Sequence, residues 1–148
     1  MSFAIRGLAH VGIRVHDLRR AAAFYEILGF ELVAGPVGPE PVALLHHPAA
    51  DLEINLILNA PSPDMVNLLM DVSGSKPPGY THMALVCDDL DAAVRTLEAA
   101  GFPIRERVTF PTGVEAVFVR DPDGNVVELD ALPPGWTLRG AVARLRGG

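Results

Sequence analysis

The chain is short of several things, and each shortage excludes something. Of its 148 residues a single one, Cys87, is cysteine, so no intrachain disulfide forms and a reducing, cytoplasmic setting is expected. Lysine and arginine number 12 against 18 aspartates and glutamates, for a formal net charge of −6. That acidity is dispersed along the chain, and it argues against a nucleic-acid surface. No apolar run approaches the roughly 20 residues that a membrane span needs. The N-terminus lacks the long apolar core of a signal peptide. Neither a nucleic acid nor a membrane is therefore expected as a partner. Hydrophobic residues make up 49% of the chain, enough for a real core.

What the chain does have is an internal repeat. The run His10-Val11-Gly12-Ile13-Arg14-Val15, followed by Asp17-Leu18, Ala21 and Gly29-Phe30, returns without a gap at His82-Met83-Ala84-Leu85-Val86-Cys87, Asp89-Leu90, Ala93 and Gly101-Phe102. A unit of about 70 residues buries little core alone, so the two copies are expected to pair. A histidine opens each copy.

The pattern of each copy predicts its elements. Leu8 to Val15 alternates and is rich in β-branched residues, as a strand does. Asp17 is a good N-cap for a helix from Leu18 to Leu28, and Gly29 sits where a helix ends. Strands are expected at Phe30 to Val33, Val42 to His46 and Leu52 to Asn59, the first broken by Gly35-Pro36. The second copy predicts a strand from Thr81 to Cys87, a helix from Asp89 to Ala100, and strands at Ile104 to Val108, Val114 to Arg120 and Asn125 to Asp130. Asp121-Pro122-Asp123-Gly124 is a hairpin turn signal. The fold class is α+β, as two βαβββ modules over residues 1–60 and 80–131 within one domain. Residues 61–79, with four prolines, read as a linker, within which Val66 to Met70 is a helical turn or an edge strand. Residues 132–148 read as a loose surface tail. His46 and His47, before Pro48, are expected in an exposed loop.

Side chains on a strand alternate between faces. One face of the first strand carries Val11, Ile13 and Val15, and the other His10, Gly12 and Arg14. On the fourth strand Leu52, Ile54, Leu56 and Leu58 oppose Glu53, Asn55, Ile57 and Asn59. In the second module His82 shares a face with Ala84 and Val86, and Glu128 with Val126 and Asp130. His, Arg, Asn and Glu among small and branched neighbours suit a lined cleft better than a solvent face. A lone strand histidine is more often a hydrogen-bonded core residue, but two at equivalent repeat positions with a glutamate point to metal. His10, His82 and Glu128 form a set of two imidazoles and one carboxylate with open positions, the pattern that holds a divalent transition metal. Asn55, aligned with Glu128, is a weak neutral ligand, a substrate hydrogen-bonder or a structural residue. Arg14 binds substrate or pairs with Glu53 or Asp130. Phe24, Tyr25 and Leu28, at helical spacing, are core.

At these residues the chain resembles the vicinal oxygen chelate superfamily, which includes glyoxalase I, fosfomycin- and bleomycin-resistance proteins and extradiol dioxygenases. The matching pieces are Leu8-Ala9-His10-Val11, Phe24-Tyr25-Glu26-Ile27-Leu28-Gly29-Phe30, Gly79-Tyr80-Thr81-His82, and Asp121-Pro122-Asp123-Gly124-Asn125-Val126-Val127-Glu128-Leu129, within roughly residues 7 to 131. The resemblance implies paired modules in a U-shaped mixed sheet around a central cleft, with a metal on His10, His82 and Glu128. The ion would be divalent, such as Ni, Zn, Mn, Co or Fe. Glyoxalase I-like members usually add a fourth carboxylate where this chain has Asn55, and Glu53 on the same face is the alternative donor. Arg14 and Asn59 match positions where that family holds the glutathione part of its substrate.

The function so implied is a glyoxalase-like lyase or isomerase acting on a small substrate with vicinal oxygens. Glu128 or Glu53 would move a proton beside an enolate-like charge. The alternatives are an iron-dependent dioxygenase and a drug-binding resistance protein. The dioxygenases' additional His and Tyr would fall near Leu52 and Val119, and the fosfomycin enzymes' hydroxyl at Gly12. Small two-module members commonly set one module's ligands against a partner chain, so a homodimer is expected, while pairing within or between chains stays open.

Overall fold

The computed structural model describes residues 3–61, 76 and 78–147. The chain divides into two compact units, Met1–Asp64 and Met65–Gly148. The linker segment Val66 to Met70 lies outside the described residues.

The first unit runs β1 (Val11–Arg14), α1 (Leu18–Ile27), β2 (Glu31–Val37), β3 (Val42–His47) and β4 (Leu52–Ile57). Its mixed sheet has the order β1-β4-β3-β2, with β1 parallel to β4 and the other pairs antiparallel. The second unit repeats this plan with β5 (His82–Val86), α2 (Leu90–Ala99), β6 (Glu106–Thr109), β7 (Glu115–Arg120) and β8 (Val126–Ala131), in the order β5-β8-β7-β6. The two βαβββ modules of an α+β fold are therefore present.

Each helix starts where its aspartate allows. The Asp17 carboxylate accepts from the Arg20 N–H at 2.8 Å, and that of Asp89 from the Ala92 N–H at 2.8 Å. Such caps occupy donors that have no partner inside the helix. Ala21, Ala22, Phe24 and Tyr25 of α1 are buried with Phe30, Ala43, Leu45, Ile54 and Leu56. Tyr25 meets Phe24 and Phe30 edge to face at 5.1 and 6.1 Å. In the second unit Leu97 is buried with Val117, Val119, Val127 and Leu129.

Three expectations are corrected. The second strand does not stop before Gly35-Pro36 but runs to Val37, with register shifts on both sides of Ala34. As the edge strand of its sheet it has an open side, where a proline costs no ladder bond. Gly35, at φ +102°, is required there because a Cβ would stand 2.5 Å from the Val42 carbonyl oxygen. His46 and His47 close β3 and are half-buried, not loop residues. The His47 ring packs against Phe30 at 5.2 Å, and its Nδ1 accepts from the Ala50 N–H at 3.1 Å. Finally, the tail is not loose: Leu138–Arg146 forms α3, capped by the Thr137 hydroxyl and tied by Arg144 donating to the Thr112 carbonyl at 3.1 Å.

Candidate functional site

Strand pairing decides which side chains share the face turned away from the helices. In the second unit Ala84 pairs with Glu128 and Val86 with Asp130 on β5 and β8, and Phe118 of β7 stands opposite Glu128. His82 opens β5 on that same face. Its Nε2 is 2.7 Å from Glu128 Oε2, and its Nδ1 is 2.7 Å from the Thr81 hydroxyl. A carboxylate only accepts, so the Nε2 proton points to Glu128 and Nδ1 accepts from Thr81. The Phe118 ring lies edge-on to the imidazole at 5.9 Å. With Ala116, Val126, Val108 and Phe110 it forms an apolar cluster on this face. Glu128 is 6% exposed in consequence.

Asp130 belongs to the same place and was not singled out as a site residue in the sequence. Burial, then a hydrogen bond to Glu128 and the charge of Glu128, push its carboxyl up to about 6. The signal for it was its i+2 spacing from Glu128 on one strand face.

In the first unit the register is the same. Gly12 pairs with Asn55 on β1 and β4 as Ala84 pairs with Glu128. Asn55 and Glu128 are therefore equivalent positions of the repeat, while Glu53 lies two residues away, opposite His46 of β3. A Cβ at position 12 would meet Ile57 Cδ1 at 3.5 Å, so the Ile57 side chain borders this glycine. Asn55 Oδ1 is buried and has no hydrogen-bond partner among the described residues. A buried acceptor left in this state costs free energy unless a ligand or ion meets it. His10 stands just ahead of β1 and is exposed.

Arg14 and Asn59 come together, but the third member of their group is unexpected. The Arg14 Nε–H donates to Asn59 Oδ1 at 2.8 Å, and Asn59 Nδ2 donates to Glu40 Oε1 at 2.8 Å. Arg14 Nη2 stands 3.5 Å from the same Glu40 oxygen. The acidic partner of Arg14 in this unit is thus Glu40 and not Glu53. Strand-face alternation does not reach Glu40, because it is carried in by a turn. The Leu58 N–H donates to the Pro41 carbonyl at 2.8 Å and folds the β2–β3 turn over the end of β4.

The hairpin Asp121 to Gly124 is structural, as its sequence indicates. Buried Asp121 accepts from the Asp123 and Asn125 N–H groups and from the Asn125 amide, at 2.8–2.9 Å. It fixes where β8, and with it Glu128, begins.

Within each unit, among the described residues, no three His, Cys, Asp or Glu side chains gather closely enough to hold a metal. The donors nonetheless suit one. An imidazole and a carboxylate at hydrogen-bond distance in an apolar surround, and a buried amide oxygen without a donor, are ligand types for divalent cations. Among the described residues no helix is long and apolar enough to cross a membrane.

Residues 7–129 match the family model of the glyoxalase/bleomycin resistance protein/dioxygenase superfamily. The chain belongs to that superfamily. A superfamily member from Sphaerobacter thermophilus is 31% identical, with 86% of this chain and 98% of that one covered at a TM-score of 0.65. A domain of the same description from a Frankia species is 22% identical, with 90% and 96% covered at a TM-score of 0.71. A genomically encoded fosfomycin resistance protein from Listeria monocytogenes is 20% identical, with 93% and 99% covered at a TM-score of 0.67. The last two share the fold. No curated protein matches the chain.

Proposed function

We propose that this superfamily member is a metal-dependent enzyme, and that a divalent ion is held by His10, His82 and Glu128 with Asn55 as a neutral fourth donor. The observation that carries the reading is the 2.7 Å pairing of His82 Nε2 with Glu128 Oε2, both placed by strand register on the face away from the helix. The second unit supplies two ligands, so a third comes from outside it. The repeat assigns His10, which stands to β1 as His82 stands to β5.

The bound ion would supply Lewis-acid polarisation of two neighbouring oxygens of a small substrate. The chain's own residues do the rest. With an ion on Nε2, the His82 proton would sit on Nδ1 and be donated to the Thr81 hydroxyl, which holds the ring with Nε2 turned to the ligand side. Glu128, buried beside Phe118, is the group that takes and returns a proton at the carbon next to a carbonyl. Glu53 is the alternative proton carrier, two residues from Asn55. Arg14, Asn59 and Asn55 orient the substrate. Glyoxalase-like lyase or isomerase chemistry is the first reading. The neutral Asn55 favours one other, an iron-dependent dioxygenase that leaves the fourth position weakly held for substrate and dioxygen. A homodimer is the assembly that this reading expects.

The test is the metal content of the full chain purified without chelator, alongside His82→Ala and Glu128→Gln. The wild type should retain close to one equivalent of a divalent metal and both variants should lose it. A wild type that takes up no divalent metal on titration overturns the reading.

A further inference from the structure

The group formed by Arg14, Asn59 and Glu40 is electrically closed. A guanidinium recognises a carboxylate best through one planar edge carrying two parallel N–H bonds. In Arg14 the edge bearing Nε and Nη2 is already engaged. Nε donates to Asn59 Oδ1 at 2.8 Å and Nη2 faces Glu40 Oε1 at 3.5 Å. Glu40 Oε1 also takes the Asn59 amide at 2.8 Å. The three side chains make a triangle whose formal charge is zero. Both charged members remain over half exposed, at 56% and 57%, so the face is open to a ligand.

What this leaves on offer is specific. Arg14 Nη1 is a donor and Glu40 Oε2 an acceptor, neither with a hydrogen-bond partner among the described residues. A group that offers both a donor and an acceptor is met by a primary amide or by hydroxyls, each of which can accept from a guanidinium and donate to a carboxylate. A carboxylate completes only the donor, and it brings its charge against that of Glu40. Discrimination by an unfavourable contact of this kind is a common device.

We propose that Glu40 is the specificity-determining residue of this face, so that it receives an uncharged amide- or hydroxyl-bearing end of the substrate and turns a carboxylate away. This rests on the reading above, in which the Arg14 face receives substrate. It also departs from what the resemblance to glyoxalase I implies, where the matching Arg and Asn hold part of a charged tripeptide.

Glutarate and its diamide, glutaramide, are nearly isosteric and differ in charge, and they serve as the probes. Each is titrated into the ¹⁵N-labelled full chain while the Arg14 Nε–H and Asn59 side-chain amide resonances are followed. In the wild type glutaramide should shift these signals at a concentration at least tenfold lower than glutarate. Glu40→Gln keeps the acceptor for the Asn59 amide but removes the charge, and it should move the preference at least tenfold toward glutarate. Glu40→Ala should move it the same way, and Arg14→Met should abolish both titrations. Circular dichroism establishes that each variant is folded. An unchanged preference in Glu40→Gln and Glu40→Ala overturns the proposal, as does a wild type that favours glutarate or responds to neither probe. Metal retention is measured on the same preparations. Its loss with the preference intact rejects the metal reading and not the role of Glu40, and the converse result rejects Glu40 alone.

Discussion

The two modules share a scaffold and part company on one face. Each helix begins behind an aspartate cap and ends at a glycine of positive φ, +92° at Gly29 and +89° at Gly101. In each, the residue after that glycine donates its N–H back to the helix, Phe30 to Tyr25 and Phe102 to Leu97, at 3.0 and 2.9 Å. The open faces differ. In β3 and β4 burial alternates along the strands, whereas β7 and β8 are buried almost throughout. Where Asn55 faces Leu44, the equivalent Glu128 faces Phe118. The charged ligand candidate thus sits in the more continuously buried strand, and the neutral one in a strand whose burial alternates. A repeat fixes backbone positions, and their chemistry is then set strand by strand.

The largest expected effect tests that difference in burial. Phe118→Ala removes a ring that is 7% exposed and should cost about 3 kcal/mol in denaturant unfolding, because a buried aromatic leaves a cavity as well as losing transfer energy. Leu44→Ala, at the equivalent but half-buried position, should cost only about 1 kcal/mol. Equal costs would mean that the two faces are alike and the comparison fails.

The ligand positions follow in size. Glu128→Gln or His82→Ala should weaken divalent-metal binding by at least about 100-fold, since even residues that only orient a ligand are worth about 10- to 100-fold. Asn55→Ala should weaken it by about tenfold or less, as befits a neutral donor. Asn55→Glu restores the symmetry of the two modules and should strengthen binding by about tenfold. If the enzyme is an isomerase its turnover survives that change, and if it is an oxygenase oxygen uptake is lost. Calorimetric titration checks the affinities. An Asn55→Glu chain with unchanged metal affinity places Asn55 away from the ion.

Much of this comparison is legible in the sequence. The offset relating His10 to His82 also relates Leu18 to Leu90 and Ile27 to Ala99, the ends of the two helices, because caps and terminating glycines are local signals. The alternation of β4 and β8 likewise assigns Asn55 and Glu128 to the face away from the helices. The sequence alone could not choose between Asn55 and Glu53 as the counterpart of Glu128, since both give a plausible offset. That choice is made by pairing of β4 with β1, which is a tertiary fact. Glu40 was beyond reach for the same reason: its position depends on how the β2–β3 turn folds onto the end of β4. His47 resembles a loop residue beside Pro48, yet Phe30 gives it a partner and holds it in the strand. The helix α3 is carried by weak local signals, with a Thr137 cap and a contact from Arg144 to a carbonyl far off in sequence.

The smallest effect concerns the two helix starts, where the modules look most alike. Asp17→Ala and Asp89→Ala each remove a 2.8 Å cap, and each should cost about 1 kcal/mol. The costs should not be identical. The first turn of α1 has no acidic residue, while that of α2 has Asp91. A carboxylate near a helix N-terminus interacts favourably with the exposed N–H groups and the dipole, by about 0.3–1 kcal/mol. Asp91 also donates its charge to a local network, since Arg107 bonds it at 2.7 Å and Glu115 at 2.6 Å. That hydrogen bond with Arg107 holds the Asp91 carboxyl below its ordinary value, so it stays ionised as pH falls. Helix α2 therefore keeps one favourable charge after Asp89 is gone, and α1 keeps none after Asp17. Asp17→Ala should be the costlier change by a few tenths of a kcal/mol, and Ser should rescue both positions. The difference rests on charge, so it should shrink in about 1 M salt, where screening acts over about 3 Å. A gap that persists in high salt would assign it to packing around α1 instead.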